Sequence, residues 1–473
     1  MNDDAMTNSS PKKATKVTDV LAGSLALVAI IGGLALPTPP GWSADAIAAA
    51  GLTIAAITLW ASSALPMGVV AIGFLLLAVL LKVQPAAIVF SGFQSGALWL
   101  VFGGMVIGTS VAYTGLGKRL AALATSRLGQ SYFGVLIGVA GAALILSFLI
   151  PSAMARSVLM VPIVVSVAEN LGFGPGSRGR TGMILVAALV SFASGGTILT
   201  AVLPAIILAG AAETLYGIHI TYGGYLLASF PVMGLCRALL IVGLAWWMFA
   251  DKVNAAPTPK VAAPALSVPE VRLAFLLAAT LILWATDSFH GIHAAWVALG
   301  VALLMLTPGL RLVPSHTLNK HLDYSSFFYT AAVIGLGAVI TGSGFAGGLA
   351  HWLIAVYPGE IANNTLEMAG LSVAFAMLGP LITNPGIPAV MSPLAGDLSI
   401  LSGLPVESIL MAQVFGFSNV ILPHQAAPFV VALTMAGASL RDGARFALVT
   451  TLASILLIIP LQAWWWQVLG YSN

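Results

Sequence analysis

The sequence predicts an all-α polytopic membrane protein, and three observations carry that expectation. Of 473 residues, 59% are apolar and only 7% are Asp, Glu, Lys or Arg, whereas a soluble domain needs about a quarter of its residues charged to coat its surface. Mean hydropathy is +1.03, and apolar stretches of membrane-spanning length recur from one end of the chain to the other. Glycine and proline, 50 and 26 of them, are spread along the chain, which excludes a coiled coil. Cys236, the single cysteine, excludes a disulfide framework and a thiolate metal cluster. The net charge of +3 comes mainly from loop cations and does not mark a nucleic-acid partner.

Taken in order, residues 1–43 read as a short polar tail with Lys12, Lys13 and Lys16, then a first transmembrane helix over about Leu21–Leu36, then the turn that opens at Pro37. No small-residue cleavage site follows that helix and more spans come after it, so it is not read as a signal peptide. Residues 44–250 hold apolar blocks at Ile47–Ser62, Val69–Leu81, Ala97–Tyr113, Phe133–Ile150, Met183–Ala212 and Tyr225–Phe249. Residues 251–270, rich in Pro and Ala, read as a cytoplasmic linker. Residues 271–473 then hold Leu273–Ala285, Ala294–Leu306, Tyr329–Thr341, Met368–Ile382, Ile409–Met435 and Phe446–Trp465. Helix is the sensible assignment throughout, because an open sheet would leave backbone amides unpaired in hydrocarbon.

Orientation follows from the cations. With the N-terminus cytoplasmic, and with re-entrant hairpins at about 133–165 and 366–400, all but three of the 18 Lys and Arg fall on cytoplasmic loops. Lys82 lies outside, and Arg156 and Arg237 sit at membrane depth. The C-terminus then lies outside, with Trp464–Trp466 at the outer interface. Without the hairpins the later loops fall on the wrong side of the positive-inside rule. The alternative is a set of eleven or more plain spanning helices.

The two halves echo each other. Leu144–Val165 can be laid over Ala376–Gly396, with Ser152 opposite Thr383 and Pro162 opposite Pro393. Further on, Ser191–Leu208 lies over Phe415–Ala432, with Ser194 opposite Ser418 and Pro204 opposite Pro428. Each half thus has a hairpin interrupted by small polar residues and Pro, followed by a broken span. Paired interruptions at matching places point to a secondary-transporter binding site. Amides at half-helix N-termini favour an anion and freed carbonyls can hold a cation. Ordinary Gly and Pro kinks are the bland alternative.

Arg156 is the most informative residue. It lies inside an apolar block, four positions beyond Ser152, and no carboxylate occurs between Arg127 and Glu169 to pair with it locally. A guanidinium there can hold a carboxylate or sulfate through two parallel hydrogen bonds, or it can serve the structure by bonding backbone carbonyls across the bundle. Ser152, Thr383 and Asn384 supply polar groups at the hairpin tips; Ser194, Thr197, Thr200, Ser418 and Asn419 supply more at the breaks. Such groups coordinate Na⁺ or contact an anion, or merely cap a half-helix. His424 and Gln425 sit at the second broken span, where His424 either binds the anion, carries a proton, or donates to a backbone carbonyl. Arg237 shows no polar neighbours in sequence and reads as structural or snorkelling. No Asp or Glu falls in the middle of an apolar block, so carboxylate proton relays have no candidate. No catalytic cluster appears either, which argues against an enzyme.

At these segments the chain resembles the divalent anion:sodium symporter family of the wider ion-transporter superfamily. The match covers nearly everything after the first helix, including Phe93–Ala121, which is similar to the block before the family's first hairpin. Members carry Ser-Asn-Thr at both hairpin tips and a Gly-Gly-Thr and Pro pattern at both broken spans. Gly195, Gly196 and Thr197 match. The first tip instead reads Ser152-Ala153-Met154, the second Thr383-Asn384-Pro385, and Ala205 and Phe429 stand where the family has Asn. Ala155-Arg156 is similar to the citrate/2-oxoglutarate translocator branch.

The resemblance implies two inverted repeats, about 11 transmembrane helices plus two re-entrant hairpins, a homodimer, and an elevator-type transporter in the cell inner membrane. It implies uptake or exchange of a di- or tricarboxylate or sulfate-like anion. The expected substrate cage is Ser152, Arg156, Thr383, Asn384, His424 and Gln425, with the amides near Pro204 and Pro428. Na⁺ is the candidate coupling ion, with Ser152, Gly195, Gly196, Thr197, Thr383, Asn384, Ser418 and Asn419 as its candidate ligands. The altered tips favour exchange without cation coupling. Partners are a small anion and membrane lipid, with no nucleic acid. The rival readings are an arsenite or Na⁺/H⁺ antiporter of the same superfamily, a membrane enzyme, and a sensor that has lost transport.

Overall fold

The computed structural model describes residues 17–126, 131–253, 265–349 and 363–471. Lys12, Lys13, Lys16, Arg127 and Lys260, used above for orientation, lie outside them. The described residues form helices and no strand. Eleven of the helices are long and apolar enough to cross a bilayer, and away from its ends a helix pairs its backbone groups within its own segment. The burial pattern is that of a protein solvated by lipid: large apolar side chains face outward, with Leu25, Phe275 and Leu303 61%, 73% and 68% exposed. Small residues face inward instead, and they let backbones approach closely. A Cβ on Gly51, in the Ala44–Ser62 helix, would lie 2.5 Å from the carbonyl oxygen of Ala29 in Val17–Ala35, so only glycine permits that crossing.

Serine hydroxyls start many of the helices. Ser43, Ser95, Ser131, Ser152, Ser177 and Ser267 each accept an amide N–H from the first turn that follows, satisfying donors that have no intrahelical acceptor. The scaffold around the site comes from a few close pairs. Gly96–Thr114 packs on Ala294–Leu306, Met67–Leu80 on Tyr324–Gly342, and Asn364–Ile382 on Val406–Ser418.

Helix breaks position the site. Tyr132–Leu149 gives way to extended backbone at Ile150 and Ser152 before Ala153–Asn170 begins. Arg178–Leu189 widens into a π turn at Val190–Ser194, tightens into a 3-10 turn at Gly195–Thr197, and then passes from an extended Ile198 through a turn at residues 199–201 to an extended Val202. Leu203–Tyr216 restarts with Pro204 in its first turn, where a missing N–H costs nothing. In the second half, Asn364–Ile382 stops at Thr383, and Gly386–Met391 and Ala395–Ser402 follow. Val406–Ser418 ends at an extended Asn419, and Ala427–Met435 restarts with Pro428 in its first turn.

Two spans read as plain helices are not plain. Phe230–Cys236 and Ser454–Ile458 are π turns within the Tyr222–Phe249 and Leu440–Val468 spans. Pro231 and Pro460 cause them, since each lacks the N–H that would close the preceding turn. The carbonyls left over near Pro231 are used by the other span: Gln462 Nε2 donates to Ala228 O at 2.7 Å and Trp465 Nε1 to Leu227 O at 2.9 Å.

Candidate functional site

The two broken spans touch. A Cβ on Gly196 would sit 2.5 Å from the Cβ of Ser418, and one on Gly195 would sit 2.7 Å from Arg156 Nη2. The Gly195–Gly196 pair therefore lies between the guanidinium of the first half and the end of the second broken helix. Tyr225 Oη holds this junction by donating to Gly196 O at 2.6 Å. Ser194 Oγ donates to Gly234 O at 2.9 Å and Thr197 Oγ1 to Ser194 O at 2.6 Å.

Arg156 is fully buried, and it gathers the acceptors that the breaks set free. Its Nη1 donates to Ile150 O at 2.6 Å and to Ala201 O at 2.8 Å; Nη2 donates to Ser191 O at 2.8 Å, and Nε to Ser191 Oγ at 2.9 Å. Ile150 lies between the Tyr132–Leu149 and Ala153–Asn170 helices, Ser191 in the π turn and Ala201 in the turn that follows Ile198. Four of the five guanidinium N–H bonds are thus committed to protein, the arrangement set out above as the structural alternative to direct substrate binding.

Arg237, read from the sequence as structural or snorkelling, is buried and does not snorkel, and the fold gives it polar neighbours that the sequence did not show. Its Nη1 donates to Ser418 Oγ at 3.2 Å and to Ser418 O at 3.4 Å, and its Nη2 to Asn419 Oδ1 at 2.5 Å. Its Cζ lies 5.1 Å from the centroid of the Phe415 ring, a favourable seat for a desolvated cation. Thr451 Oγ1 also donates to Asn419 Oδ1, at 3.2 Å. The second break therefore has its own guanidinium, delivered by the π turn just before it. Among the described residues neither Arg156 nor Arg237 forms an ion pair, so two buried cations stand without a carboxylate partner.

The second hairpin tip is strained and partly unsatisfied. Thr383 adopts φ 64° and ψ 165°, a region that is nearly exclusive to glycine. Asn384 is fully buried; its Nδ2 donates to Asn419 O at 2.9 Å, while its Oδ1 has no partner. Gln425 Oε1 accepts the amides of Ile421 and Leu422, both at 2.6 Å, while its Nε2 has no partner. That Nε2 lies 2.1 Å from where a Cβ on Gly379 would be, with Asn384 Oδ1 3.5 Å from the same point. An orphaned donor and an orphaned acceptor thus both lie beside Gly379, each a buried polar group that needs a physical explanation.

The remaining candidates divide. Ser152 is half-buried; its oxygen accepts the Ala155 amide at 3.2 Å, which leaves its own O–H to donate. His424 is exposed, its Nε2 3.1 Å from Pro380 O, so it stands at the rim. Pro204 and Pro428 set the restarting helices but offer no side-chain group. Among the cation candidates, the Ser418 oxygens and Asn419 Oδ1 are already engaged by Arg237.

Interrupted spans converging on buried polar groups inside an all-helical, multi-pass membrane protein define a transporter rather than a catalyst. The chain belongs to the divalent anion:sodium symporter family: the profile described as the sodium:sulfate symporter transmembrane region matches residues 18–472. A membrane protein of Cupriavidus necator is 24% identical, over 94% of this chain and 92% of its own length. The L-tartrate/succinate antiporter of Escherichia coli is 24% identical, over 72% of each chain, and the Escherichia coli inner membrane protein YbhI is 24% identical, over 80% of this chain and 82% of its own. The crystal structure of the Alcanivorax borkumensis YdaH transporter shares the fold, with TM-score 0.55 and 18% identity over 82% of this chain and 88% of that one. The chain is a secondary transporter of a dicarboxylate or sulfate-like anion, not an enzyme.

Proposed function

We propose that the protein exchanges one small dicarboxylate for another across the bacterial inner membrane, without a coupling cation. The observation that carries this is the pair of buried guanidiniums. In a broken helix, freed carbonyls make a seat for a cation; here Arg156 and Arg237 fill those seats with covalently attached charge. The site thus holds a fixed charge of two, and a dianion neutralises it. Moving the unloaded site through a low-dielectric surrounding exposes two uncompensated charges, whereas the loaded site is neutral. Only loaded carrier then crosses readily in either direction, which is exchange. The name of the Escherichia coli relative, an L-tartrate/succinate antiporter, supports the same reading.

In this mechanism Arg156 and Arg237 supply potential rather than contact. Direct hydrogen bonds to the anion come from the hydroxyls of Ser152 and Thr383 and from Gln425 Nε2, the groups with free donors at the tips and the second break. The cation distribution supports a cytoplasmic N-terminus and a C-terminus outside.

Reconstituted vesicles test the proposal. Labelled succinate should enter vesicles preloaded with dicarboxylate and should not accumulate in unloaded ones, whether or not an inward Na⁺ gradient is imposed. Accumulation driven by Na⁺ into unloaded vesicles would refute it.

A further inference from the structure

Beside the first break, at the end of the bundle where Gly96–Thr114 begins, a small cleft is lined by Ala97, Leu100, Leu199, Glu213, His219 and His293, among others. Glu213 lies in the last turn of Leu203–Tyr216; Gly217, at φ +64°, ends that helix and turns the chain so that His219 folds back. His293 is the N-cap of Ala294–Leu306. One donor atom from each residue lies within 4.8 Å of the other two. His219 Nε2 is 4.0 Å from Glu213 Oε1, and the two imidazole rings are 5.3 Å apart and tilted by 56°.

We infer that Glu213, His219 and His293 form a binding site for a divalent transition metal of the zinc type, and that the bound ion ties the two halves of the chain together. Two imidazoles and one carboxylate, with a fourth position open to water, are a recurrent zinc donor set. Donors around such an ion stand about 3.3 Å apart, so each must move inward by less than an ångström, and His219 has the freedom to do so because its side chain is 63% exposed. The neighbouring Asp287 is not part of the site, since its oxygens accept the amides of Tyr222 at 2.5 Å and Gly223 at 3.4 Å.

The ring of His293 is already engaged as a helix cap. Its Nδ1 accepts the Ala295 amide at 3.2 Å. Whichever ring nitrogen takes the metal, that cap is given up, either to the ion directly or to a proton moved onto Nδ1. Binding and the helix cap therefore compete.

Glu213 and His219 follow the first broken span, whereas His293 precedes a helix of the second half that packs on Gly96–Thr114. A filled site staples these segments, and transport that needs them to move apart stops. This second clause rests on the transporter reading; the binding itself does not.

The test is Zn²⁺ binding to the purified full chain by isothermal titration, beside the His219→Gln and His293→Gln variants, with thermal unfolding checked to show that each variant folds. One saturable Zn²⁺ per chain is expected, weakened about tenfold or more in each variant. Zn²⁺ should also raise the unfolding temperature of the unmodified protein alone and inhibit dicarboxylate exchange in vesicles. No saturable binding, or binding that both variants retain, overturns the site. Binding that leaves exchange at full rate overturns the staple while leaving the transporter reading untouched.

Discussion

At the scale of single residues, the unusual feature is how much the two arginines do for the backbone. Arg156 satisfies three carbonyls and one hydroxyl that the breaks would otherwise orphan, and each buried orphan costs about 1–3 kcal/mol. Arg156→Ala should therefore destabilise the protein by about 3 kcal/mol or more, read as a lowered unfolding temperature in detergent. Arg156→Lys should recover only part of that loss, because one ammonium cannot reach acceptors that a planar fork spans. A guanidinium that only met substrate would leave stability unchanged in both variants. Thr383 behaves in the opposite sense. Its backbone, at φ 64° and ψ 165°, stores about 1–3 kcal/mol, part of which Thr383→Gly would lose again to unfolded-chain entropy. A rise of about 1 kcal/mol in stability, with slower exchange because the tip loses its hydroxyl, is the expected outcome; thermal unfolding and vesicle counterflow read the two effects separately.

At the scale of elements, the site exists because two irregular stretches fit against each other. Gly196→Ala places a methyl 2.5 Å from the Ser418 Cβ and 3.2 Å from its Cα, and backbone cannot yield as a flexible side chain can. The two breaks must separate, at about 1–3 kcal/mol, and exchange should fall at least tenfold while the protein still folds; unchanged counterflow would show that the junction does not need contact. Both breaks were legible beforehand, since Gly195, Gly196, Pro204 and Pro428 mark where a helix cannot continue. So was the burial of Arg156, from a cation set in an apolar block without a local carboxylate. Its partners were not legible, because Ser191 and Ala201 reach it only once the π turn and the turn after Ile198 are formed. Arg237 was read as structural or snorkelling, without polar neighbours, for a related reason: Ser418 lies 181 positions away, and no local pattern announces a contact of that range. The π turns were visible in principle as Pro231 and Pro460 inside apolar runs, but a proline alone does not separate a kink from a widened turn. Glu213, His219 and His293 stayed apart in sequence and came together only through the packing of Ala294–Leu306 on Gly96–Thr114.

At the scale of the whole molecule, the fixed charge decides how transport responds to voltage. Each elementary charge carried across a membrane potential is worth about 2.3 kcal/mol per 100 mV. If the two guanidiniums travelled with the site and returned unloaded, the return step would carry two positive charges and shift by about 4–5 kcal/mol per 100 mV, a change of about a thousandfold or more when fully rate-limiting. If instead a dianion accompanies every crossing, the moving site is neutral both ways and the membrane potential does no work on it. Dicarboxylate counterflow in vesicles clamped at 0 and at about −100 mV with potassium and valinomycin should then proceed at the same rate within about twofold, a bound set well below the thousandfold alternative. Substituting Arg237→Gln removes one charge, leaves the loaded site with a net negative charge, and should make the same exchange voltage-sensitive. Strong voltage dependence in the unmodified protein would mean that the arginines stay with the stationary part of the fold, and the charge argument for obligate exchange would fall with it.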